Sequence, residues 1–176
     1  DTTAEDDSQH AQRRKALRLV SQIPVVTAYF HRNRQGLDLI PPDPTLGEAA
    51  NFLWMINGEK PTPDMESTMD LCYVLHADHG MNASTFAARV TIATLSDMYS
   101  AVTSAIGTLK GPLHGGANEG VIKMLQEIGS LEAVDSYLED ALAQKKKIMG
   151  IGHRIYKVLD PRAPHLKRMA QKLSAQ

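Results

Sequence analysis

Leu109-Lys110-Gly111-Pro112-Leu113-His114-Gly115-Gly116-Ala117-Asn118-Glu119-Gly120 sets one histidine between a Gly-Pro corner and a Gly-Gly pair. Helical periodicity follows at once, with Val121, Met124, Leu125 and Ile128 recurring at steps of three and four. The glycines permit close backbone approach and conformations that other residues avoid. The pattern predicts His114 at a helix start, where unpaired N–H groups point outward and the dipole is positive. A neutral imidazole there is suited to donate a hydrogen bond to an oxygen that gains negative charge. Taken alone, the motif reads more simply as a helix entry with a packed histidine.

Working outward toward the N-terminus, Ser96-Asp97 is read as the cap of a helix holding Met98, Tyr99, Ala101, Val102, Ala105 and Ile106. Before it, Asn82-Ala83-Ser84-Thr85 opens a segment with Phe86, Ala87, Ala88, Val90, Ile92, Ala93 and Leu95. Both are rich in small residues, which let helices approach closely. They are expected to form a central buried pair and part of a subunit interface.

On the other side, Gly129-Ser130 is a break, and a helix is expected from Leu131 to Gln144 with Val134, Leu138 and Leu142 inside. Lys145, Lys146 and Lys147 close it; cations are expected at a helix C-terminus without any phosphate site. Next comes Ile148-Met149-Gly150-Ile151-Gly152-His153-Arg154-Ile155-Tyr156-Lys157. Gly150 and Gly152 do not make a dinucleotide fingerprint, because no strand precedes them and no third glycine follows in place. They do make a loop whose backbone can lie against a flat ligand. Asp160-Pro161-Arg162-Ala163-Pro164 is a proline-bounded turn before a last helix with Leu166, Met169, Ala170 and Leu173.

In the first third of the chain, Ser8 caps a long helix reaching about His31, which Pro24 is expected to kink or interrupt. Residues 40–44 are extended, and Thr45-Leu46-Gly47-Glu48 matches a capping box. The helix behind it faces a core through Ala49, Phe52, Leu53, Met55 and Ile56 and ends at Asn57-Gly58. Another helix begins near Asp64 and runs to Leu75-His76-Ala77-Asp78-His79-Gly80. His76 and His79 are spaced to share a helix face and, with Asp78, to bind a metal. They lack the glutamate and the four-residue spacing of the zinc protease helix, and a plain helix end serves equally well. Strand alternation is nearly absent, so the expected fold is all-α.

The composition agrees with a globular chain. It has 176 residues, 43% of them hydrophobic, and a net charge of -1. Neither nucleic acid nor a membrane surface is indicated as a partner. No apolar run approaches the ~20 residues that span a bilayer, and no secretory signal opens the sequence. The lone Cys72 cannot form an internal disulfide and fits a reducing cytoplasm. Asp1 is not a methionine, and helical periodicity runs to the final residues. Both ends read as cuts in a longer chain.

Three motifs stand in order: His76-Ala77-Asp78-His79 with Asn82, then Gly111-Pro112-Leu113-His114-Gly115-Gly116-Ala117-Asn118, then Gly150-Ile151-Gly152-His153-Arg154 with Asp160-Pro161-Arg162. Together with Ile23-Pro24, Ala28-Tyr29 and Asn82-Ala83-Ser84-Thr85-Phe86 they resemble citrate synthase and its relative 2-methylcitrate synthase. The resemblance covers nearly the whole chain. It implies an all-α homodimer of a large helical domain, residues 1–114 here, and a smaller one, residues 115–176, both partial. The implied reaction joins the acyl group of acetyl-CoA, or propionyl-CoA, to oxaloacetate and then hydrolyses the thioester. His114 would hydrogen-bond the thioester oxygen as the enol forms, and His153 would polarise and protonate the oxaloacetate carbonyl. His79 and Arg162 would hold oxaloacetate. Lys147, Ile148, Met149, Gly150 and Ile151 would lie along CoA, with Lys157 toward its phosphates. His76 and Asn82 would support the site from behind. The CoA thioester is a co-substrate; no permanent cofactor and no metal are implied, and the location implied is cytoplasmic.

One departure qualifies the resemblance. The family's general base is an aspartate beyond the last shared motif, later arginines for substrate carboxylates follow it, and this sequence ends first. Asp160 is no substitute, since it belongs to the Asp-Pro-Arg turn. General acid–base work contributes roughly 10²–10⁴-fold, so the chain alone is expected to be inactive or nearly so. Two other readings compete: a catalytically dead helical dimerisation module, and a metal protein built on His76, Asp78 and His79.

Overall fold

In the computed structural model, which describes residues 2–77, 80–152 and 156–175, every regular element is a helix. The all-α expectation holds. The chain divides into two compact units, one made of Asp1–Gly80 with Leu159–Gln176 and the other of Met81–Val158.

The first unit opens with α1, Gln9–Arg34. Ser8 caps it as expected, its Oγ accepting the N–H of Ala11. The helix runs continuously through Pro24, so of the expected kink or interruption the interruption does not occur. Proline removes one donor, but the helix is long enough to carry that loss. Helix α2, Glu48–Asn57, packs on α1, and α3, Pro63–Ala77, packs on α2. Ala11, Ala28, Ala49, Ala50 and Met55 form the buried apolar centre of this unit. Of the five residues expected inside α2, Ala49 and Met55 are fully buried and Phe52, Leu53 and Ile56 are half-buried. Arg32 is buried as well and donates to the carbonyls of Asp38 and Ile56, which pins the loop after α1 to the C-terminal end of α2. Lys15 is a second buried cation satisfied by backbone: its Nζ donates to the Ala4 and Asp6 carbonyls at 2.6 and 2.9 Å.

The capping box at Thr45 does not form. The cap of α2 is Gly47, which has no side chain to offer, and Thr45 turns the other way. Its N–H and hydroxyl both donate to Asp43 Oδ1, at 2.9 and 2.6 Å. The aspartate wins because it closes a local turn two residues back. Gly58 ends α2 in the left-handed conformation at φ +85°, as the Asn-Gly pair suggested.

The last helix of the chain, Ala163–Ser174, belongs to the same unit and packs on α3, where Lys172 pairs with Asp64 in the first turn of α3.

The second unit holds four helices between those: α4, Ala83–Ala93; α5, Met98–Leu109; α6, Gly116–Ile128; and α7, Val134–Ala143. The last helix is accordingly α8. Asp97 caps α5 as read from the sequence, accepting the N–H groups of Tyr99 and Ser100. Asn82 caps α4, accepting the N–H of Thr85. Helices α4 and α5 pack on each other, but the pair is not buried within this chain: Phe86, Val90 and Ile106 are all more than half exposed. Helix α7 starts three residues later than expected, and Leu142 faces solvent rather than the core.

Candidate functional site

His114 stands on the turn between α5 and α6, one residue before the Gly115 cap of α6. Backbone hydrogen bonds wind the turn. His114 N–H donates to Gly111 O, Gly115 N–H to Leu109 O and Gly116 N–H to Gly111 O, all within 3.1 Å. This winding leaves no room at the glycine pair. A Cβ on Gly115 would lie 2.5 Å from Leu109 O, and one on Gly116 would lie 3.0 Å from Gly111 O. The Gly-Gly pair is therefore a steric requirement for placing the histidine.

The imidazole reaches across to the first turn of α4, thirty residues away in sequence. Its Nε2 lies 2.9 Å from Ser84 Oγ, and the Ser84 backbone N–H points at it from 3.4 Å. That N–H is one of the free donors at the start of α4. The Ser84 hydroxyl also donates to Asn82 Oδ1 at 2.7 Å. The helix N-terminus met by the ring nitrogen is thus that of α4, whereas the sequence pointed to the helix directly after His114. Ser84 is the partner that the sequence did not disclose. Its only local signal, a serine two places after an asparagine at a helix entry, is an ordinary cap pattern.

The segment after α7 returns to the same helix. Met149 packs on α6 where Gly120 leaves space; a Cβ there would sit 2.8 Å from Met149 Cε. Gly150 lies against Val121, with φ +84°. Gly152 has φ +89°. Both loop glycines occupy backbone conformations that L-residues rarely adopt. Lys147, Gly150 and Ile151 are exposed, while Ile148 and Met149 are half-buried, so the loop offers backbone and apolar surface on one side and is anchored on the other. Lys157 is exposed. His114 and the Met149–Gly150 loop are therefore both organised around the first half of α6.

Arg162, in the other unit, caps α8 and is half-buried. Its Nε and Nη2 donate to Asp160 Oδ1 and Oδ2 at 3.1 and 2.8 Å, and its backbone N–H donates to Oδ1 at 2.9 Å. The Asp-Pro-Arg turn thus holds the guanidinium in a two-point grip, a geometry that fixes its plane. His76 is exposed and its Nδ1–H donates to Cys72 O at 2.7 Å. Asp78, His79 and His153 lie outside the described residues. Among the described residues no three potential ligands cluster to hold a metal ion.

Comparison with known proteins fits this arrangement. The family model "Citrate synthase, C-terminal domain" matches residues 1–176. The chain belongs to the citrate synthase family. It is 52% identical over 174 residues to citrate synthase 2 of Bacillus subtilis, covering 99% of this chain and 47% of that protein. It is 47% identical over 169 residues to a 2-methylcitrate synthase of Mycobacterium tuberculosis, covering 96% and 43%. Its fold matches the citrate synthase of Thermoplasma acidophilum, solved as a ternary complex with carboxymethyl coenzyme A and oxaloacetate, at a TM-score of 0.85 and 35% identity over 99% of this chain and 47% of that one. The chain spans about half the length of the relatives it matches.

Proposed function

We propose that these 176 residues supply the acyl-thioester half of a citrate synthase active site, working on acetyl-CoA and oxaloacetate to give citrate and CoA. The observation that carries this is the joint use of α6: its entry presents His114, and its next turns anchor the Met149–Gly150 loop. In the proposed reaction His114 donates to the thioester oxygen while the α-proton leaves, stabilising the enol. The loop from Lys147 to Ile151 lies along CoA, and Lys157 meets its phosphates. His153 polarises the oxaloacetate carbonyl and protonates it as the carbon–carbon bond forms. His79 and Arg162 hold the keto acid, Arg162 by its oriented plane. The CoA thioester comes and goes as a co-substrate. A homodimeric, cytoplasmic assembly whose larger domain runs to His114 belongs to the same proposal.

In this proposal the general base comes from a further segment of the enzyme, so the chain alone turns over poorly. Propionyl-CoA is the second acyl donor in view, because a 2-methylcitrate synthase lies nearly as close in sequence. One methylene separates the two donors by only about 1–3 kcal/mol.

The test is exchange. Citrate synthase 2 of Bacillus subtilis is made with its matching half replaced by these 176 residues. CoA release from acetyl-CoA with oxaloacetate is then compared with release by the chain alone and with propionyl-CoA. The expected result is turnover by the exchanged protein and little by the chain. Rates like an intact enzyme from the chain alone would refute the missing-base reading. A folded exchanged protein without turnover would refute the proposed function.

A further inference from the structure

We propose that Met149 is a reversible oxidation site, and that one oxygen added to its sulfur frees the turn at residues 148–151 from α6. The turn aims this side chain at the helix. The Ile151 N–H donates to Ile148 O at 3.4 Å, a long bond that closes four residues into a turn. Gly150, third in that turn, has φ +84°, which a type II turn requires there and glycine supplies. Met149, second in the turn, lies along α6. Its Cγ, Sδ and Cε come within 3.5, 3.6 and 2.8 Å of the point where a Cβ on Gly120 would stand. Three consecutive atoms so close to one point mean that the side chain lies flat in the notch left by that glycine. Val121 Cγ2 stands 3.3 Å from the corresponding point on Gly150 and completes the contact.

A thioether is apolar and suits such a notch. A sulfoxide does not, because its oxygen is a strong acceptor and the group donates nothing. The N–H groups of Gly116, Ala117 and Asn118 are already given to carbonyls of the preceding turn, and those from Gly120 onward to the helix ladder. The new oxygen therefore finds no backbone donor on α6, and water is its better partner. The way out is open: Lys147, Gly150 and Ile151 are exposed and Met149 is half-buried, so a small hydroperoxide reaches the sulfur. The step balances. The sulfur lone pair attacks one peroxide oxygen, the S–O bond forms as the O–O bond breaks, and the leaving oxygen takes a proton to become water. Sulfur loses the two electrons that the peroxide gains. Methionine sulfoxide reductase reverses the step, with thiols as reductant and water as the leaving product.

The consequence for catalysis rests on the proposed function, in which this loop lies along CoA. Oxidation then weakens acyl-CoA binding and spares His114, whose turn is wound by its own backbone bonds. Met55 is 2% exposed and out of a peroxide's reach, whereas Met81, just before the cap of α4, is 56% exposed and serves as the control.

The test treats the exchanged protein with hydrogen peroxide and locates each added oxygen by peptide mass spectrometry. Deuterium uptake by the peptide covering residues 148–152 reads the turn without any substrate. Oxidation of Met149 is expected to speed that uptake and to raise KM for acetyl-CoA about tenfold, roughly what one or two buried methylene groups contribute, with kcat nearly unchanged. Methionine sulfoxide reductase with dithiothreitol should restore both. Met149→Leu, apolar and of like size, should keep the low KM and ignore peroxide. Met81→Leu should respond as the unaltered protein does. An oxidised Met149 with unchanged uptake in the turn overturns the inference, as does a Met149 left intact while Met81 is converted. An equal rise in KM in peroxide-treated Met149→Leu overturns it too. Absence of any turnover refutes the proposed function instead, and deuterium uptake then still decides this inference.

Discussion

At the scale of single residues, the glycines around His114 divide into two kinds by what their missing Cβ would meet. At Gly115 it would meet a backbone oxygen at 2.5 Å, which cannot swing aside. Gly115→Ala is expected to cost about 1–3 kcal/mol, the usual range for overpacking, read as a lower urea midpoint. At Gly120 it would meet the end of a flexible methionine. Alanine also favours a helix interior over glycine by about 1 kcal/mol. Gly120→Ala should therefore leave the urea midpoint nearly unchanged while displacing Met149 and weakening acyl-CoA binding, measured by calorimetry on the exchanged protein. Equal midpoint losses in both variants would contradict this contrast. The need for these glycines was legible in the sequence; the serine that meets the histidine was not. A contact over thirty residues leaves no trace in local spacing, and Ser84 sits where any helix cap would place a serine.

At the scale of elements, most helix starts were readable because side chains write them. Ser8 and Asp97 are examples, each accepting a free N–H of the first turn. Ser8→Ala is expected to cost about 0.5–2 kcal/mol, measured by thermal unfolding. Thr45 is the exception. The threonine-to-glutamate spacing was correct for a cap, but the Thr45 hydroxyl and N–H turn to the Asp43 carboxylate instead. That choice has a pH signature. The Thr45 hydroxyl and N–H, with the Lys60 ammonium, hold the Asp43 carboxyl down at about 2 from an ordinary 3.8. Ser100 and Tyr99 similarly lower Asp97. A carboxyl lowered on folding stabilises the fold above its ordinary value, and that contribution is lost as pH falls through the folded value. Urea midpoints should therefore fall as pH drops below 3.8 toward 2, and less steeply in Asp43→Asn. An unchanged slope in that variant would contradict the assignment.

At the scale of the whole molecule, the helical class was legible from periodicity, but the degree of burial was not. Periodicity marks which face of a helix is apolar and says nothing about what covers it. Leu17, Val20, Val26 and Phe30 on α1, and Phe86 and Val90 on α4, are each more than half exposed. Apolar faces of this kind mark association surfaces. The chain is expected to sediment above its 19.3 kDa monomer mass in a concentration-dependent way, and Val90→Asp to shift it toward monomer. A monomer at every concentration would count against the proposed subunit interface. The three histidines were picked out by sequence together, yet the described residues allow geometry for His114 alone, and this ring carries the functional proposal. Its most direct test is CoA release from acetyl-CoA and oxaloacetate by the exchanged protein with and without His114→Ala. Loss of one hydrogen-bond donor to a developing oxyanion should lower kcat by about 10²–10³-fold. An alanine variant that folds and turns over at the unaltered rate would contradict it.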